Sequence, residues 1–306
     1  MSGLCVSVVG CGAIGSLYAA HLTALPDVDV WVYDPNAQLI DAVKSHGLAV
    51  SGLADLRATV NATSDPAQLP PSDFGLIACK VQHTRAAISS TAHAFEHGAV
   101  CSLQNGIASD EVLYEYNPSV ISSSIYLGGR LVLPGTVELD TTGIGWIGCY
   151  RPFPDGADRL TRLSTLLTAA GLETRCHDNI LGVKWSKLIF NCAANPVCAL
   201  TGLTFGRVFG DSALRELVLA LAREGIEVAA GSGITLSEDP VTLLEKAHRE
   251  AFNHIPSMLN DVLHKRPTEI DALNGSLAQA GNSAGLSCTM NAHITALIKG
   301  LEASWA

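Results

Sequence analysis

Short apolar runs recur along the first half of the chain, at 4–9, 28–33, 74–79 and 99–104, with helical or loop material between them. Runs of this length, spaced widely enough for crossover helices, predict a doubly wound parallel sheet of the α/β class. Two later stretches, 130–139 and 143–148, mix polar with apolar positions and carry glycine turns, which predicts antiparallel strands finishing that sheet. From about Asn179 onward the pattern is helical. Leu214–Ala230 and Thr242–Phe252 space their apolar residues by about 3.6 positions, and strand signals stop. The expected boundary lies in 171–178, giving an N-terminal doubly wound sheet domain, 1–175, followed by an all-α domain, 176–306.

The first apolar run, Cys5-Val6-Ser7-Val8-Val9, leads directly into Gly10-Cys11-Gly12-Ala13-Ile14-Gly15 and then into a helical stretch. In that context the three glycines have distinct uses. Gly10 permits a tight turn, Gly12 lets a pyrophosphate reach the backbone, and Gly15 lets the helix pack on its strand, with phosphates held by free N–H groups at a helix N-terminus. The alternative is an ordinary strand-to-helix turn. The acidic residue at the end of the second run, Asp34, favours a cofactor site spanning Gly10, Cys11, Gly12, Ala13, Ile14, Gly15 and Asp34. A carboxylate there accepts the ribose hydroxyls of NAD and repels the 2′-phosphate of NADP. The next basic residue is Lys44, so NAD is the expected cofactor from this site.

Composition narrows the class. The 306 residues suffice for about two domains, and 48% hydrophobic content can fill two cores. A formal net charge of −10 argues against nucleic acid as a partner. No Lys or Arg precedes Lys44, so the charged start of a signal peptide is missing, and no stretch has the 18 apolar residues of a membrane span; a cytoplasmic protein without membrane association is expected. Nine cysteines without a Cys-x-x-Cys pair read as small buried hydrophobes in a reducing compartment, with no metal site.

The helical half opens with a polar stripe: Lys187, Asn191 and Asn195 fall at four-residue steps and share one helix face, drifting by about 40° per step. Apolar neighbours, among them Trp185, Leu188 and Phe190, make a general solvent face a poor reading. The stripe either pairs its amides internally or hydrogen-bonds a carboxylate and a carbonyl. Pro196 is expected to interrupt the ladder and to turn Asn195 out of helical geometry.

Seven segments then occur in order: the glycine pattern, Cys79-Lys80-Val81-Gln82, Leu103-Gln104-Asn105-Gly106, Pro134-Gly135-x-Val137, Lys187-x3-Asn191-x3-Asn195-Pro196, Ser257-Met258-Leu259-x-Asp261 and Thr268-Glu269-Ile270-Asp271-x-x-Asn274-Gly275. Together they resemble the ketopantoate reductase family over nearly the whole chain. The resemblance implies a cleft between a Rossmann domain and a helical domain, where nicotinamide hydride reduces a 2-oxo acid to a D-2-hydroxy acid. It implies that Lys187 is the general acid for the carbonyl oxygen, with Glu269 accepting hydrogen bonds from substrate, cofactor ribose or Lys187. It further implies that Asn105 touches nicotinamide ribose and substrate, that Asn191, Asn195 and Ser257 hold the substrate, and that Lys80 offsets phosphate or carboxylate charge. Lys80 and Glu269 have plainer readings, as an exposed strand-end lysine and a first-turn helix glutamate. His83 and His254 lie near these segments and read as structural.

Ketopantoate-reducing members commonly use NADPH and carry a basic residue where this chain has Tyr33-Asp34-Pro35, so the resemblance favours NADP and Asp34 favours NAD. Where members often read Ser-Ser-Met, this chain has Pro256-Ser257-Met258. The leading expectation is reduction of 2-dehydropantoate to D-pantoate for pantothenate synthesis. The alternatives are an NAD-dependent D-2-hydroxyacid dehydrogenase for branched or aromatic substrates and a catalytically silent nucleotide-binding protein. The expected partner is a small 2-oxo acid, and the family precedent includes monomers and homodimers.

Overall fold

The computed structural model describes residues 3–305, and the chain divides into two compact units. One runs to Gln104 and resumes over Ser109–Ile180; the other comprises Leu181 onward together with the four residues Asn105–Ala108.

The first unit carries an eight-stranded sheet among the described residues. Its central strands are β1 (Leu4–Val9), followed by helix α1 (Ala13–Leu22), and β2 (Val28–Tyr33), followed by α2 (Ala37–His46). After β3 (Leu48–Gly52) and β4 (Leu56–Ala58) the chain returns as β5 (Asn61–Thr63), then β6 (Phe74–Ile77), α3 (Thr84–Thr91), β7 (Ala99–Ser102), α4 (Ala108–Tyr114) and β8 (Val120–Ser124). Spatially the parallel strands run β5-β2-β1-β6-β7-β8, the doubly wound order in which the direction of winding reverses between β1 and β6. The central strands β1, β2, β6 and β7 are mostly apolar, as expected of parallel strands covered on both faces; Val6, Val8, Val32 and Leu76 are fully buried. Loops after β1 and β6 therefore meet at the reversal point, where such folds bind ligands.

One expectation fails here. The stretch 130–139 forms β9 (Gly128–Leu133) and β10 (Thr136–Thr141), an antiparallel hairpin that does not finish the main sheet. It joins a separate four-stranded sheet, β4-β3-β10-β9, through parallel pairing of β10 with β3. The reason is burial. Val137 and Leu139 point inward with Val50 and Leu17 of α1 in one apolar cluster, and Gly135, at φ +76°, accepts the Ala49 N–H at 2.8 Å. The later stretch does extend the main sheet: β11 (Gly145–Cys149) pairs antiparallel with β8 and is flanked by β12 (Thr174–Cys176) after helix α5 (Gly156–Ala169).

The second unit is built from helices. The 22-residue α6 (Ile180–Thr201) leads into α7 (Phe205–Gly210), α8 (Ser212–Gly231), α9 (Pro240–Glu250), α10 (Ser257–Leu263), a π-helical turn (Asp271–Gly275), α11 (Ser276–Ser283) and α12 (Thr289–Ala303). Leu188 and Ile189 of α6, Val218 and Leu221 of α8, Leu277 of α11 and Ile294 of α12 form its core. No helix among the described residues is long and apolar enough to cross a membrane.

Pro196 does not interrupt α6, contrary to expectation: the helix continues through it to Thr201, and Asn195 stays helical and buried. A proline inside a helix leaves the carbonyl four residues earlier without its N–H donor. That carbonyl belongs to Cys192, and it accepts the side-chain Nδ2 of Asn274 at 2.8 Å.

Candidate active site

In the first unit the glycine turn is shaped as a phosphate cradle. Gly10 has φ +104°, and a β-carbon on it would lie 2.6 Å from Cys79 N in the loop after β6, so only glycine lets the two loops meet. Gly15 is equally constrained, since a β-carbon there would drive into the Gly10 carbonyl. Gly12 differs: it is exposed, and a β-carbon would meet nothing within 4 Å. The open side of the turn thus lies at Gly12, the N-cap of α1, and no side chain caps that helix. Its first N–H groups, from Ala13, Ile14 and Gly15, have no partners within the helix and face the half-positive end of its dipole. These residues fit a pyrophosphate.

Asp34 follows β2 as expected and is half-buried. One carboxylate oxygen accepts the Cys11 N–H at 2.8 Å and the other the Asn36 N–H at 3.0 Å. Asp34 thus ties the second strand's end to the glycine turn, and each oxygen keeps a lone pair for a ribose hydroxyl. Cys11 contributes only backbone. Its thiol is fully buried and pushed up to about 11, chiefly by burial. Lys80 lies just beyond β6 in a half-buried position, beside Cys79. Gln104, to which the sequence reading gave no role, donates from Nε2 to the Cys79 carbonyl at 2.7 Å and to Thr84 Oγ1 at 2.8 Å, bracing the loop that holds Lys80.

In the second unit three of the expected residues come together. Lys187, on α6, donates from Nζ to Asn105 Oδ1 at 3.4 Å, and Asn105 Nδ2 donates to Glu269 Oε2 at 3.3 Å. The Asn105 amide is thereby oriented, its oxygen toward the ammonium and its nitrogen toward the carboxylate. Gly106 makes the approach possible: it has φ +80°, and a β-carbon would stand 2.6 Å from the Ala272 carbonyl in the π-helical turn. Glu269 is held from the other side. Thr268 donates its N–H (2.8 Å) and hydroxyl (2.6 Å) to Glu302 of α12, and the Glu269 carbonyl accepts Leu273 N–H at 3.0 Å.

Burial lowers Lys187 from 10.5 to about 8, aided by the nearby positive charge of Lys184 and opposed by Glu269. Lys184, three residues earlier on α6, is only 3% exposed. Asn191 and Asn195 follow Lys187 along α6, half-buried and buried, and among the described residues neither amide hydrogen-bonds to another side chain. Ser257 is exposed at the first position of α10, and among the described residues no hydrogen bond joins its side chain to the Lys187–Asn105–Glu269 group. His254, three residues before the start of α10, is exposed.

The chain matches the family model described as ketopantoate reductase PanE/ApbA over residues 6–152, and the one described as ketopantoate reductase PanE/ApbA C terminal over residues 179–302. It is 30% identical to a 2-dehydropantoate 2-reductase from Pyrococcus horikoshii, over 97% of each chain. Among solved structures, a PanE/ApbA family ketopantoate reductase from Ralstonia eutropha JMP134 superposes with a TM-score of 0.89 at 27% identity, covering 98% of this chain and 99% of that one. A ternary structure of D-mandelate dehydrogenase with NADH and anilino(oxo)acetate has the same fold, with a TM-score of 0.91 at 22% identity and 98% and 99% coverage. With both halves of the chain matched in order, and a 2-dehydropantoate 2-reductase aligned over 97% of each chain, the protein belongs to the ketopantoate reductase family of oxidoreductases.

Proposed function

We propose that this protein reduces a 2-oxo acid to its 2-hydroxy acid with NADH, and that 2-dehydropantoate is the leading substrate, giving D-pantoate for pantothenate synthesis. The observation that carries the reading is the chain from Lys187 through Asn105 to Glu269, one hydrogen-bonded group joining a cation with a lowered pKa to a carboxylate. The nicotinamide, when bound, supplies the hydride that reaches C2. Lys187 then donates a proton to the carbonyl oxygen, where negative charge develops. An ammonium held near 8 is still mostly protonated at neutral pH and gives up its proton more readily than an ordinary lysine. Asn105 and Glu269 fix the direction of that proton. Asn191 and Asn195, with amide donors open, hold the substrate's carboxylate and carbonyl, and the Ser257 hydroxyl adds a further contact. Gly12 and the first turn of α1 hold the pyrophosphate, Asp34 the adenosine ribose, and Lys80 a phosphate or carboxylate.

Asp34 also supports a second reading: an NAD-dependent dehydrogenase for other branched or aromatic D-2-hydroxy acids. Steady-state kcat/KM with NADH and NADPH against ketopantoate and a panel of bulky 2-oxo acids separates them. The first reading expects ketopantoate to lead the panel. A bulkier acid in the lead supports the second, and no turnover with any acid leaves a silent nucleotide-binding protein.

A further inference from the structure

We propose that Asn274 is a positioning residue for this site: by donating to the Cys192 carbonyl that Pro196 leaves without its helical partner, it ties the Asn191–Asn195 turn of α6 to the π-helical turn that follows Glu269. The inference rests on the placement of the site on α6. Asn274 is fully buried, and its Nδ2 donates both to Cys192 O at 2.8 Å and to Asn291 Oδ1 at 2.9 Å. The direction of every bond is set from one end. Glu224 of α8 accepts the Asn291 Nδ2 at 2.6 Å, so Asn291 must turn its oxygen to Asn274, and Asn274 must turn its nitrogen to Cys192. Asn274 Oδ1 is left buried without a partner, an unfavourable arrangement that an apolar side chain would avoid. The bridge has a place because the backbone widens there: Gly275 N–H bonds to Ile270 O at 3.0 Å, five residues back, the π spacing that often marks functional segments. One side chain thus joins the turn that carries the two substrate amides to the turn that orients Glu269.

The test is a double-mutant cycle of Asn274→Ala with Pro196→Ala. Alanine at 196 restores the N–H that Cys192 O lacks, so the Asn274 donor becomes redundant. Pro196→Ala alone should leave kcat/KM within about twofold of the parent, and Asn274→Ala alone should lower kcat/KM for the 2-oxo acid about tenfold, mostly in KM, with KM for NADH unchanged. In the double variant the loss should shrink to about twofold. An equal loss in both backgrounds overturns the proposal, as does a folded Asn274→Ala protein with unchanged KM. Should Asn274→Ala not fold, Asn274→Ser carries the same cycle, its hydroxyl and an admitted water keeping the cavity polar. The Lys187 amine, titrated through its pH-dependent reaction with an amine-specific reagent, is read in every variant. Its titration should move upward in Asn274→Ala and return in the double variant. That readout needs no turnover, so it tests Asn274 even if the assigned 2-oxo acid chemistry fails; an unmoved titration counts against the proposal.

Discussion

Lys187 sits where its charge is disfavoured, and that has a thermodynamic as well as a chemical consequence. Its pKa falls from 10.5 to about 8, so between those values the unfolded chain binds more protons than the folded one, and stability rises with pH across that window. Lys187→Met removes the contribution. The variant should melt a few degrees above wild type at pH 7, with the difference shrinking toward pH 10; parallel melting curves at both pH values would contradict the lowered pKa. Asp34 gives a second test at this scale. Asp34→Arg should weaken NADH use and improve NADPH use, read as the ratio of kcat/KM for the two cofactors, because it removes a ribose acceptor and supplies a cation for the 2′-phosphate. A wild type that already prefers NADPH strongly would overturn the assignment of NAD. The position of Asp34 was legible from its strand-end spacing. Its bond to Cys11 N–H was not, because a backbone donor leaves no trace in residue identity.

Elements show where periodicity suffices and where it stops. Glycines at 10, 12 and 15 form the expected turn, but only the folded structure separates their uses. Gly12 faces open space, so Gly12→Val should fold normally and lose NADH binding, seen as a fluorescence titration that no longer saturates; unchanged affinity in a folded variant would remove the phosphate site. Gly15→Ala should instead destabilise the protein by about 1–3 kcal/mol or more in denaturant titrations, because its β-carbon meets backbone. The stripe of Lys187, Asn191 and Asn195 was legible because α6 is a regular helix, although the proline rule pointed to a break at Asn195. Local propensity lost there to a tertiary bond, the Asn274 amide on Cys192 O. The partner of β10 was equally beyond local pattern, since alternation shows that a strand has an inner face and does not say which sheet receives it.

Across the whole molecule, the change from strand to helix patterning near Asn179 matches the start of α6 at Ile180. What the pattern could not reveal is that Asn105–Ala108, which directly follows an apolar strand run, belongs with the helical unit. Gly106 explains it physically: its positive φ and lack of a side chain let Asn105 reach Lys187 and Glu269, 82 and 164 residues further along the chain. The role proposed for these residues is proton donation during hydride transfer, and single-turnover kinetics read it without interference from product release. With excess enzyme, saturating NADH and the preferred 2-oxo acid, oxidation of NADH in Lys187→Ala should be slower than wild type by about 10² to 10⁴, with little change in NADH affinity, and the wild-type rate should fall above a pKa of about 8 that the variant lacks. A folded Lys187→Ala protein that transfers hydride at a near-normal rate would contradict the claim and turn attention to Lys80 or His254.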